Sequence, residues 1–132
     1  MFDKQVKDVM SKDILSARLK STLKEISEIL IKHRISAVLI RDDSGNPWGV
    51  ITTRDIVCSM TKADFYDLTA EDVMTRDLVT IRPRSTLLRA AKKMMEEKVQ
   101  RLIVAHPGHL KGQVRIVGII SMSDLIKTIS ES

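Results

Sequence analysis

Two hydrophobic periods alternate along this chain. Short runs rich in Val and Ile interrupt longer stretches in which apolar residues recur every three or four positions. The runs predict buried strands and the stretches predict amphipathic helices. The first half reads as a short helical lead-in over 6–10 and a strand over 14–17. A helix opened by Ser21 or Thr22 follows, with Glu25 placed for a capping box. Leu23, Ile26, Ile29, Leu30 and His33 fall on one face of that helix. A strand over 37–41, a turn over 42–47 with Gly45 and Asn46 suited to positive φ, and a return strand over 48–52 predict a hairpin. A helix from 53 to about 60 closes the half.

Residues 61–69 read as a link in which Phe65, Tyr66 and Leu68 are available for packing. The second half repeats the order, with strands over 78–81, 101–105 and 114–121 and helices over 86–98 and 122–129. Leu87, Ala90, Ala91, Met94 and Met95 form the inward face of its long helix, the methionines serving as core filler.

The repetition extends to the residues themselves. Asp8-Val9-Met10 returns 64 positions later as Asp72-Val73-Met74, and Ser21-Thr22-Leu23 as Ser85-Thr86-Leu87. Gly49-Val50-Ile51-Thr52-Thr53-Arg54-Asp55 returns after 69 positions as Gly118-Ile119-Ile120-Ser121-Met122-Ser123-Asp124. The five added residues fall near the turn-rich stretch 106–112, where insertion is tolerated. Each copy is β-α-β-β-α. The expected architecture is α/β (α+β), two repeats packed sheet to sheet with pseudo-twofold symmetry around a shared core, since about sixty residues bury little surface alone. The repeats span 1–62 and 70–132, joined by a linker over 63–69.

Composition narrows the function. With 132 residues, 43% hydrophobic and 30% charged, the chain is of ordinary globular type. No apolar run is long enough to span a membrane, and no signal-peptide pattern opens it, so the cytoplasm is expected. Cys58 is the sole cysteine, which excludes a disulfide framework, and reads as a small buried hydrophobe. A net charge of +5 permits an anionic partner. Aromatics are 3% of the chain, too few for a base-stacking platform, so a nucleic-acid partner is disfavoured. His106 and His109 beside a Pro-Gly pair are insufficient for a metal site. No phosphate-loop, dinucleotide or nucleophile-elbow motif occurs, so no catalytic residues are assigned and the chain is not read as an enzyme.

The duplicated glycine motif carries the chemistry. An apolar strand delivers a hydroxyl and, three residues on, a carboxylate at a helix start. This spacing is first of all a capping box. A hydroxyl and a carboxylate at a strand-to-helix junction also make a plausible small-molecule site, and two such junctions suggest two related sites.

Taken in order and twice, Asp-Val-Met, Ser-Thr-Leu, Val38-Leu39-Ile40 with its copy, and the two glycine motifs make the chain resemble a tandem cystathionine-β-synthase (CBS) domain pair, or Bateman module. The resemblance covers about 6–129. It implies a regulatory module binding an adenine nucleotide or related ligand (AMP, ADP, ATP or S-adenosylmethionine) in clefts between the repeats, with no cofactor. By position, one cleft would set Ile51, Thr52 and Asp55 against Val79, Val99, Gln100 and Arg101. The other would set Ile120, Ser121 and Asp124 against Leu15, Ile35 and Ser36. Ala37 stands where Arg101 stands in the copy, so the second site is expected to hold phosphates less well. The resemblance also implies a homodimer and an effector protein as partner. An assembly scaffold with vestigial clefts and a nucleic-acid binder are the alternatives.

Overall fold

A computed structural model describes residues 4–76, 78–107 and 114–132. The chain divides into two compact units. The middle unit is Leu15–Leu78, and the terminal unit joins Met1–Ile14 to Val79–Ser132. Each lead-in therefore belongs to the unit built by the other repeat.

The middle unit contains β1 (Ser16–Arg18), α1 (Leu23–His33), β2 (Ala37–Arg41), β3 (Pro47–Thr52), α2 (Thr53–Ser59) and α3 (Ala70–Val73). Its three strands are ordered β1-β2-β3, with β1 parallel and β3 antiparallel to β2. A 3₁₀ turn over Phe65–Asp67 precedes α3; Phe65 and Leu68 pack on the core, whereas Tyr66 stays exposed. The terminal unit opens with a 3₁₀ turn over Val6–Asp8. It continues with β4 (Thr80–Ile81), α4 (Leu87–Glu97), β5 (Arg101–Pro107), β6 (Val114–Ser121) and α5 (Met122–Ser130). Its sheet repeats the pattern as β4-β5-β6. Buried apolar residues form two clusters, one within each unit. Val6, from the lead-in, is fully buried in the terminal cluster.

Local chemistry explains the boundaries. Thr22 caps α1 and Thr86 caps α4, each hydroxyl accepting the backbone N–H three residues on at 3.1 Å. Glu25 does not return the bond, so only half of the expected capping box forms. Both long helices end on a left-handed residue that is not glycine, Arg34 at φ 53° and Lys98 at φ 57°. The N–H groups of Ile35 and Val99 then reach back to Leu30 and Met94 carbonyls at 3.1 and 3.0 Å, closing both ends alike.

Other expectations need correction. Ile29 packs on the core as expected, although half-buried, and only His33, in the last turn, leaves the apolar face for solvent. Met95 points outward because α4 buries the narrower stripe Leu87, Ala90 and Met94. Cys58 is exposed, since α2 turns Ile56 toward the core and leaves Val57 and Cys58 outside. Only Gly45 takes positive φ in the first hairpin; Asn46 does not, its amides instead bonding Asp42. β1 begins at Ser16, two residues later than expected, because parallel pairing with β2 starts there. His109 lies outside the described residues.

The glycines that open the duplicated motif have a steric reason. In the middle unit, Thr75 bridges to Val50 by two backbone bonds of 3.0 Å. A Cβ on Gly49 would meet the Thr75 carbonyl oxygen at 2.6 Å. In the terminal unit, Ser11 bridges to Ile119 in the same way, and a Cβ on Gly118 would meet the Ser11 carbonyl oxygen at 2.8 Å. Each glycine leaves room for a lead-in to dock on the outer strand of its sheet, which also covers that edge.

Candidate functional site

Each unit carries one strand-to-helix junction. In the middle unit, β3 ends on Thr52, which takes an extended conformation and caps α2. The Thr52 hydroxyl accepts the Asp55 N–H at 3.2 Å. Asp55 answers with one oxygen, Oδ2, which accepts the Thr52 N–H at 2.8 Å and the Thr52 hydroxyl at 3.0 Å. The terminal unit repeats this at Ser121 and Asp124, with bonds of 2.8 Å to Oδ2 from the Ser121 N–H and 3.1 Å from its hydroxyl. Both motifs are thus working capping boxes. In each acid the second oxygen, Oδ1, has no partner among the described residues, and both side chains are half-buried. An ionised carboxylate is acceptor-only, so that oxygen is available to donor hydroxyls. The cap hydroxyls already donate to their own acids. A phosphate-facing role for Thr52 or Ser121 therefore requires exchanging that bond.

A further repeated pair supports the junctions. The Ser59 hydroxyl donates to the Asp55 carbonyl at 2.8 Å, and the Thr128 hydroxyl to the Asp124 carbonyl at 3.0 Å. These are the buried polar residues among those described. Both stand four residues after the acid, a spacing legible in the sequence but unused there.

The structure gathers the predicted residues within each unit. In the middle unit, the Thr53 N–H bonds the Ser36 carbonyl at 3.0 Å, Val38 pairs with Ile51, and the Leu39 N–H bonds the Leu15 carbonyl at 3.0 Å. Leu15, Ile35, Ser36, Ile51, Thr52 and Asp55 thus lie around one end of that sheet. In the terminal unit, the Met122 N–H bonds the Gln100 carbonyl at 3.0 Å, Arg101 pairs with Ser121, and the Ile103 N–H bonds the Val79 carbonyl at 2.9 Å. Val79, Val99, Gln100, Arg101, Ile120, Ser121 and Asp124 occupy the equivalent end. Arg101 is half-buried and already partnered. Asp124 also lines a hollow of about 340 Å³ with Lys4, Asp8, Lys127 and Glu131. No group of three or more His, Cys, Asp or Glu among the described residues is placed to hold a metal. No described helix is long and apolar enough to cross a membrane.

The CBS domain family model matches residues 6–61 and again 70–131. The chain belongs to the CBS-domain family. As a tandem pair it joins a class of regulatory modules that are generally not catalytic.

A methylated protein of Methanocaldococcus jannaschii is 34% identical over 97% of this chain and 75% of its own length. An L-aspartate semialdehyde sulfurtransferase of the same organism is 30% identical over 91% of this chain, which spans only 22% of that enzyme. Among solved structures, an uncharacterised conserved protein of Pyrococcus horikoshii superposes with a TM-score of 0.86 at 25% identity, covering 98% of this chain and 94% of that one. A CBS domain pair in complex with 5′-methylthioadenosine and S-adenosyl-L-methionine superposes with a TM-score of 0.82 at 28% identity, covering 97% of both chains. The two β-α-β-β-α repeats are those of this family.

Proposed function

We propose that this CBS pair is a regulatory module for an adenosyl ligand, with AMP, ADP, ATP and S-adenosylmethionine as the candidates. The observation that carries the reading is the open Oδ1 of Asp55 and Asp124, presented at duplicated helix starts on a fold shared with a pair solved with adenosyl compounds. Each acid receives the two ribose hydroxyls on that oxygen while Oδ2 keeps the cap. Ile51 and Ile120 back the junctions. The resemblance assigns Val79, Val99, Gln100 and Arg101 to the Thr52–Asp55 site and Leu15, Ile35 and Ser36 to the Ser121–Asp124 site. Apolar side chains then flank the purine while strand backbone reads its edge. Arg101 favours a phosphorylated ligand at the first site, where its fork suits phosphate, and Ala37 makes the second the weaker of the two for phosphate.

Regulation follows from differential affinity: a ligand that prefers one conformation shifts the population toward it. The readout passes to a second copy, an effector protein or another part of a longer chain. A homodimer has a ready surface. Ile31 on α1, Val57 on α2 and Met60 just after it are 80, 63 and 66% exposed, and their repeat counterparts Met95, Ile126 and Ile129 are 62, 65 and 48% exposed. On the terminal unit this face surrounds an apolar hollow of about 390 Å³. Exposed patches of this kind mark association surfaces.

The test is denaturing extraction of the purified protein with mass spectrometry of the released small molecules, followed by thermal shift with AMP, ADP, ATP and S-adenosylmethionine. A co-purified adenosyl compound, or a concentration-dependent rise in Tm with one of the four, supports the reading. Neither response would leave the scaffold alternative.

A further inference from the structure

The chain's excess positive charge lies in one unit. The terminal unit carries 13 Lys and Arg against 7 Asp and Glu, a net +6, whereas the middle unit carries 9 against 10, a net −1. Part of that charge converges on a hollow of about 380 Å³ beside the edge strand β4, lined by Arg82, Ser85, Arg89, Lys93 and His106, with no carboxylate in its lining. Arg89 and Lys93 lie one turn apart on α4 and face the same way. Lys93 donates to the Thr80 carbonyl, which fixes its ammonium over the strand and leaves two N–H groups free to bond elsewhere. Among the described residues Arg82 and Arg89 have no acidic partner, and the half-buried Ser85 hydroxyl has no hydrogen-bond partner.

The same place in the other repeat is built differently. At a shift of 64 residues stand Arg18, Ser21, Glu25, Ile29 and Asp42. There Arg18 pairs with Asp43 at 3.2 Å, and the Ser21 hydroxyl accepts the Arg18 N–H at 3.0 Å. The fold is therefore made without a cluster of cations at this position, its arginine and serine each partnered within the repeat. Gathering like charges around a hollow is unfavourable without a counter-charge.

We propose that the Arg82–Arg89–Lys93 hollow is an anion site, holding a small molecule with two or more linked phosphate groups. Within the terminal unit it is built apart from the Asp124 junction, at the opposite end of β5 from Arg101. Guanidinium forks recognise phosphate oxygens in pairs, the lysine adds a point charge, and the serine hydroxyl supplies a neutral donor. A concave seat of this size takes a phosphate chain, whereas the flank of a duplex needs an open surface.

The test is calorimetry of the full chain with inorganic pyrophosphate and triphosphate at low salt, repeated with excess adenosine. Triphosphate is expected to bind, to weaken as salt rises, and to be indifferent to adenosine. Arg89→Glu, which installs the residue of the other repeat, should weaken it by about ten-fold or more, the loss of one charge-assisted bond with its sign reversed. Arg82→Gln should weaken it also, and Arg18→Gln, the counterpart in the middle unit, should not. The proposal is overturned if neither phosphate binds, if both terminal-unit variants bind as the wild type does, or if affinity is confined to a short RNA duplex included as a third titrant.

Discussion

Replacing Gly49 by alanine tests the steric logic of the duplicated motif. The new methyl would lie 2.6 Å from the Thr75 carbonyl oxygen and 3.0 Å from Met74 Cγ. The nearer obstacle is backbone, so the lead-in must move off β3 instead of a side chain swinging away. Moving it breaks the two 3.0 Å bonds between Val50 and Thr75. Two such bonds are worth about 1 kcal/mol each, and overpacking adds about 1–2 kcal/mol. The sum is about 3–4 kcal/mol. For a chain of 132 residues, unfolding entropy of about 2.1 cal/mol/K per residue makes each kcal/mol worth about 4 °C. The expected fall in Tm is therefore about 12–16 °C, read by circular dichroism with urea unfolding alongside. Gly45→Ala is the control. Gly45 sits at φ +87° with nothing within 4 Å of the added Cβ, so it carries conformational strain alone, about 1 kcal/mol. A Gly49→Ala protein as stable as Gly45→Ala would refute the reasoning.

Three further outcomes follow from other parts of the molecule. Lys98→Gly should stabilise the chain by about 0.5–1 kcal/mol in urea unfolding, because Lys98 closes α4 at φ 57° where glycine is strain-free; destabilisation would contradict the cap assignment. Asp42 accepts the Trp48 Nε1–H at 2.9 Å as well as the Asn46 N–H, and these bonds hold its carboxyl below the ordinary 3.8. A depressed carboxylate contributes stability that is present above its unfolded value and lost as pH falls through the folded one. The fluorescence of Trp48, the sole tryptophan, should change with a midpoint below pH 3.8; a midpoint above that value would be inconsistent with the assignment. Ile126→Glu places a charge on a face that is 65% exposed at that residue, so analytical ultracentrifugation should find a dimer converted to monomer with unchanged circular dichroism; a dimer that survives would exclude this surface.

Much of the fold was legible because the repeat supplied two readings of every element. The second hairpin strand and the 37–41 strand were readable from β-branched runs bounded by turn residues, and the cap of α1 was narrowed to Ser21 or Thr22, of which the structure uses Thr22. What was not legible is non-local. Nothing in Val6 or Met74 says which sheet buries it, and the exchange of lead-ins appears only when Thr75 meets Val50 and Ser11 meets Ile119. The left-handed caps at Arg34 and Lys98 were hidden because neither is glycine, so the helix over 86–98 was drawn one residue long at its end.

The site shows the same division. Thr52-x-x-Asp55 and Ser121-x-x-Asp124 were visible as capping boxes, and they are capping boxes. That each carboxylate spends only Oδ2 on the cap is a matter of rotamer that spacing does not encode. Ser59 and Thr128 went unread because hydroxyls inside apolar helices look incidental until their bonds to the acids' carbonyls are seen. The cations around β4 were scattered over 82–93 and acquired meaning only through proximity.

The most direct measurement of the adenosyl-module account is a calorimetric titration of S-adenosylmethionine and AMP into the wild type and into the Asp55→Asn, Asp124→Asn double variant. The asparagine carbonyl retains an acceptor for the cap, so the fold should persist, while the charged acceptor for the ribose hydroxyls is gone. Loss of charged hydrogen bonds of about 2–3 kcal/mol corresponds to weakening by about 30-fold or more. Saturable binding in the wild type that weakens by that amount is the expected result, and equal affinity in a folded double variant, or no adenosyl binding to either protein, would contradict it.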